Sequence, residues 1–232
     1  MRISHYRIVN MRAAFLVIIF LFLTLALRSA QASVRDDEIA QCRPGEVSTW
    51  GDGVDRKAIS SPMVLVYRHQ GAPAWFAQDL VLGKLKAASK AWSACGIAGK
   101  VLLEVDAPKA PAGSVLVQWS DADSHGNFGL ANLTARTLSL GPAAFQLLRD
   151  KNPSYDATQT LQMVISHEMG HLYGLMAHSR RCVDVTSYYT DNKGESCYLR
   201  DARQFRSVVE YRSTLPTACD IQRCRMANSV EH

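Results

Sequence analysis

Residues 167–171 read His-Glu-Met-Gly-His. On an α-helix, four residues advance the chain by about 400°, so the two imidazoles would lie about 40° apart and roughly 6 Å along the axis. Two neighbouring imidazoles on one face can grip a single Zn²⁺. Glu168, about 100° away, can reach a zinc-bound water without becoming a ligand. Downstream, Leu172-Tyr173-Gly174-Leu175-Met176-Ala177-His178-Ser179 supplies a third imidazole. Gly174 would let the chain leave the helix in a left-handed turn, bringing His178 back to the metal. Three neutral histidines with one open position are what a catalytic zinc requires. The pattern therefore implies His167, His171 and His178 as Zn²⁺ ligands and Glu168 as the base for the attacking water. HExxH is short, and an amphipathic helix carrying two histidines by chance is the alternative.

The elements around the motif give it a setting. Asp156 is a plausible N-cap, with Gln159 three residues later as in a capping box. From Ala157 to Tyr173, Leu161, Val164, Ile165, Glu168 and Leu172 share one helical face, and Gly174 is the expected stop. Upstream, Met63–Tyr67 reads as a buried strand, and the spacing of Ala77, Val81, Leu85, Ala88 and Trp92 predicts a long helix from Ala74 to about Ala94. Val101–Val105, Ser114–Trp119 and Thr137–Leu140 read as strands, Asp121–Gly129 as a loop, Ala143–Arg149 as a short helix, and Leu199–Val209 as a closing helix. The order predicts an α/β (α+β) domain over residues 63–232, ending in a small irregular subdomain. Residues 33–62, rich in turn formers such as Gly51-Asp52-Gly53, read as a polar lead-in segment.

Residues 1–32 have the form of a secretory signal peptide. Arg2, Arg7 and Arg12 precede an apolar run from Ala13 to Leu27, and Ala30-Gln31-Ala32 is a cleavage signal. An uncleaved anchor would need about 20 apolar residues. Four of the 26 basic residues and none of the 21 acidic ones lie there, so the remainder carries 22 against 21, a net charge of +1 rather than +5. No like-charge block remains, so neither a nucleic-acid partner nor a stable membrane span is expected. The chain is read as a monomer that is secreted or periplasmic. All six cysteines follow residue 32 and suggest three disulfides. Six cysteines allow 15 connectivities; the sequential set Cys42–Cys95, Cys182–Cys197 and Cys219–Cys224 is the expectation.

With these residues in view, the chain resembles the metzincin zinc metallopeptidases, and most closely the matrixin-like branch. Their pattern is H-E-x-x-H-x-x-G-x-x-H; here Ala177 occupies the third histidine position and His178 comes one residue late, as if one residue were inserted in the turn. Eight residues after His178, Val185-Thr186-Ser187-Tyr188-Tyr189 is similar to the family's methionine turn with Thr186 in place of Met. Tyr188 matches a turn tyrosine that some members use near the metal; a packing tyrosine is the alternative. The resemblance spans about 140 residues, from Met63 to roughly Phe205, and implies a zincin-type twisted sheet with a long backing helix and an active-site helix. It also implies that Gly129–Asn132 is an edge strand pairing with an extended protein or peptide substrate. A Cys182–Cys197 bridge would brace the altered turn.

The expected activity is that of a secreted zinc-dependent endopeptidase. Two other readings stand beside it: a zincin-fold binding protein that has lost turnover, and a peptidase with an acidic third ligand, for which Glu195 is the nearest candidate. Asp121, Asp123 and His125 raise a second metal site, but the loop is short and matches no full binding pattern, so they are read as a solvated turn. His69 and His232 are read as structural.

Overall fold

The computed structural model describes residues 33–107, 109–203 and 210–229. The expected signal segment 1–32 lies outside the described residues, as does most of the expected 199–209 helix. The described elements are α1 (Val34–Ala40), β1 (Met63–Tyr67), α2 (Gln78–Trp92), β2 (Gly99–Leu103), β3 (Val115–Trp119), the single turn α3 (Asp121–Ser124), β4 (Gly129–Asn132), β5 (Thr137–Leu140), α4 (Pro142–Lys151), α5 (Ala157–Leu172) and α6 (Ala218–Ala227).

The strands form one five-stranded sheet in the order β2-β1-β3-β5-β4. The first four are parallel, with Leu65 opposite both Val101 and Val115, and Val117 opposite Leu138. β4 runs antiparallel to β5, with Gly129 opposite Leu140. The mixed α/β architecture expected from the element order is present.

Its core follows from the periodicities. Met63, Leu65 and Tyr67 of β1, with Val115, Val117 and Trp119 of β3, alternate into the same apolar cluster as Val81, Leu85, Ala88 and Trp92 of α2 and Leu161, Ile165, Met169 and Leu172 of α5. The cluster removes apolar side chains from water at about 25 cal/mol per Å². It fixes the two helices against each other, and the Trp92 indole N–H donates to the Ser166 carbonyl at 2.9 Å. Asp156 caps α5 by accepting from the Thr158 amide at 2.9 Å. The reciprocal capping box occurs instead on α6, between Thr217 and Asp220. Among the described residues no helix is long and apolar enough to cross a membrane.

One expectation about the periphery changes. Only Cys182–Cys197 pairs as expected; the other bridges are Cys42–Cys219 and Cys95–Cys224. Cys219 and Cys224 lie five residues apart on α6. At about 100° per residue they point to different sides of the helix and cannot meet. Within residues 33–62, α1 and the Cys42–Cys219 bridge tie the segment to α6.

Candidate metal centre

Helix α5 carries His167, Glu168 and His171 in its last two turns, and its exit brings in His178. Gly174 adopts φ 102°, the left-handed stop expected from the sequence. A Cβ there would lie 1.9 Å from the Arg56 carbonyl oxygen, so the turn requires glycine for space as well as for conformation. Leu175 N–H closes the turn onto the Gly170 carbonyl at 2.9 Å.

One ring nitrogen from each of His167, His171 and His178 lies within 4.8 Å of the others. The ring centroids are 5.0–5.2 Å apart. Every Nδ1 has a fixed partner: the Val185 carbonyl for His167 at 2.8 Å, the Leu175 carbonyl for His171 at 2.7 Å, and the Asp52 carboxylate for His178 at 2.7 Å. An acceptor at Nδ1 places the proton there and leaves Nε2 as the free donor atom of a neutral imidazole. Burial pushes His167 down to about 3, aided by the neighbouring His178. It pushes His171 down to about 4, with His167 adding to the effect. Three imidazoles oriented by outer acceptors, with Nε2 of each left free, fit a Zn²⁺ ion.

Glu168 is buried on the same helix. Its Oε2 accepts the Ala131 N–H of edge strand β4 at 2.8 Å, and burial raises its carboxyl above the ordinary glutamate range, with His171 opposing. The close approach depends on Gly129, where a Cβ would lie 2.5 Å from Val164 and 2.9 Å from Glu168. β4 and α5 thus border a groove of about 510 Å³ whose walls include Leu130, Ala131, Val164, His167, Glu168 and His178.

The turn below the histidines explains its own sequence. Thr186 is fully buried, and its hydroxyl donates to Asp220 at 2.6 Å. Its methyl lies 2.8 Å from where a Cβ on Gly170 would be. A short β-branched polar residue therefore meets both the tight helix contact and the carboxylate on α6. Tyr188 donates to Asp52 at 3.0 Å and stacks on Trp50 at 5.4 Å. Burial and Asp52 push its phenol up to about 12.

The four residues expected to carry the chemistry are brought together; other candidates are not. Glu195 pairs with Arg180 at 3.2 Å and, among the described residues, joins no potential metal cluster. Asp121 caps α4 through the Ala143 amide, and Asp123 bonds Gln118 and Ser120, so this segment is a helical turn rather than a metal loop. His69 bonds Tyr67 at 2.6 Å. Sequence reasoning missed Asp52 and the Ala131 amide. Only the turn-forming Gly51-Asp52-Gly53 marked the first, and nothing in side-chain type marks a backbone donor.

No protein-family model matches the chain, and no curated protein matches it. A solved structure that it is similar to is a chain of the "GM1 bound form of the ECX AB5 holotoxin". The similarity has 11% identity and a TM-score of 0.47, over 82% of this chain and 92% of that one. The metzincin resemblance read over Met63 to roughly Phe205 is therefore corrected: no family model places the chain among the metzincins. At that TM-score the likeness itself carries no argument about this chain.

Proposed function

We propose that the chain is an exported zinc-dependent endopeptidase. The observation that carries this reading is the convergence of three histidines, each with Nδ1 already in a hydrogen bond, beside a buried glutamate at the edge of a groove. His167, His171 and His178 would hold Zn²⁺. The ion supplies Lewis acidity, lowering the pKa of a water towards about 7 and polarising the scissile carbonyl. Glu168 takes the proton of the attacking water and returns it to the leaving amine. The Ala131 amide, bonded to Oε2, holds the carboxylate in place beside the groove.

A peptide substrate suits the surroundings. The Ala131 amide points away from β5 and is taken by Glu168, so this edge of β4 borders the groove, and an extended chain would lie along it. A neighbouring cavity of about 570 Å³ shares Phe128, Met163 and Arg212 with the groove and would take one substrate side chain. The sheet, the backing helix α2 and the site helix α5 together support a zincin-type arrangement. Three disulfides suit an oxidising compartment and so an exported chain.

The test is digestion of a broad peptide library by zinc-loaded protein and by Glu168→Gln. The expected loss is at least 10³-fold in kcat/KM with zinc retained, since the variant keeps the size of the side chain but cannot accept the proton. Equal cleavage by both proteins would remove Glu168 from the chemistry. Zinc binding without any cleavage would leave a zinc-binding protein that does not turn over.

A further inference from the structure

His167 and His171 are placed by a helix, but His178 sits in a stretch without regular structure. What fixes it comes from more than 120 residues away in the chain. The Trp50 amide donates to the His178 carbonyl at 3.0 Å. Asp52 Oδ1 accepts the His178 amide at 2.9 Å, and its Oδ2 accepts from Nδ1 at 2.7 Å. The backbone donor, the backbone acceptor and the ring Nδ1 of His178 are thus all bonded by residues 50–52. Asp55 continues the grip, accepting the amides of Met176 and Ala177 at 2.8 and 3.1 Å while pairing with Arg223 at 2.9 Å. Gly53 permits the approach: a Cβ there would lie 2.6 Å from the Met176 carbonyl oxygen.

Resting on the zinc reading above, we propose that Asp52 is the positioning residue for the third ligand, and that residues 50–55 clamp the 174–178 turn so that a histidine seven residues after His171 still reaches the metal. Asp52 does not touch the ion. It acts by setting the ring rotation and tautomer of His178, which neither the helix nor the turn sets. One carboxylate serves three donors, His178 N–H, His178 Nδ1–H and the Tyr188 hydroxyl. Asparagine has the same shape but replaces one acceptor oxygen with a donor, so it cannot serve all three.

Zinc affinity is measured by chelator competition on the full chain for wild type, Asp52→Asn, Asp52→Ala and His171→Ala. Imidazole ¹⁵N shifts and metal-free melting temperatures are recorded for the same proteins. Both Asp52 variants should bind zinc about 10–100-fold more weakly, the size expected for removing an outer partner of a ligating histidine. His178 alone should lose its single tautomer, with His167 and His171 unchanged. A general folding role would instead disturb all three rings and lower the metal-free melting temperature. That pattern, or unchanged affinity in both Asp52 variants, overturns the proposal while leaving the zinc reading intact. If wild type binds no more tightly than His171→Ala, the zinc reading falls and this inference falls with it.

Discussion

From Met63 to Leu172 the chain is held by apolar contact between repeating elements, and its pair Arg68–Glu104 is well exposed. From Gly174 to Ala227, together with residues 34–59, the balance is reversed. Among the described residues, the second apolar cluster has Cys182, Val183 and Tyr211 as its buried members. Around it lie the buried or half-buried pairs Arg181–Asp184, Arg223–Asp55, Arg200–Glu46 and Arg212–Glu210. Two of the three disulfides, Cys42–Cys219 and Cys182–Cys197, lie within this region, and Cys95–Cys224 joins it to the first. The candidate centre spans the boundary. Two of its histidines take their geometry from a packed helix, and the third takes it from polar contacts between distant segments. On the helix, one hydrogen bond at Nδ1 is enough to orient each ring, whereas His178 in the irregular loop is held at its amide, its carbonyl and its ring.

That contrast can be broken from either side. Leu85→Ala empties a fully buried position between α2 and the sheet and should cost about 2–5 kcal/mol in denaturant unfolding. Zinc affinity of the folded fraction should hardly change; a large change would show that the sheet region sets the loop as well. Replacing Cys42 and Cys219 together by serine removes a bridge between residues 177 apart and should cost about 2–5 kcal/mol. Here zinc affinity should fall in the folded protein, since the bridge ties the segment carrying Asp52 to α6. Unaltered affinity would show that the polar contacts suffice without it.

Thr186→Val is a subtler probe, because it keeps the shape against Gly170 and deprives Asp220 of one donor. A loss of about 1–2 kcal/mol is expected from the unsatisfied carboxylate oxygen, whereas no loss would mean that the methyl contact alone supports the turn. A further effect is read from pH. The Arg200 hydrogen bonds hold Glu46 down to about 2, against 4.5 in the unfolded chain. Its contribution is present above pH 4.5 and lost as pH falls from 4.5 through about 2. Asp184 works in the opposite sense: burial and the adjacent Asp220 push it up to about 7, so it lowers stability as pH rises from 3.8 towards 7. Glu46→Gln should therefore remove part of the acid-side loss below pH 4.5 and leave the slope above it unchanged, as followed by chemical unfolding at each pH.

How far the sequence could be read divides along the same boundary. The short apolar runs of Met63–Tyr67 and Ser114–Trp119 and the 3.6-residue spacing in α2 and α5 are local signals, and each of these elements lies where its pattern put it, within about four residues at its ends. The stop at Gly174 and the grouping of His167, Glu168, His171 and His178 were equally legible. The partners of Cys42 and Cys95 were not. Nor were Asp52 holding His178 or Asp220 holding Thr186, because long-range polar contacts leave no period in the chain. Residues 33–62 looked like loose polar turns for the same reason, although they supply a support of the centre. The family resemblance failed differently: a short motif fixes a local geometry, and that geometry does not establish descent.

The most direct test of the account is zinc stoichiometry and affinity on the purified chain, by equilibrium dialysis with elemental analysis, for wild type, His171→Ala and His178→Ala. The account predicts one tightly held zinc per wild-type chain and a loss of at least 100-fold in affinity in either variant. Absence of stoichiometric zinc in wild type, or a His178→Ala protein that holds it as tightly as wild type, would contradict the three-histidine centre.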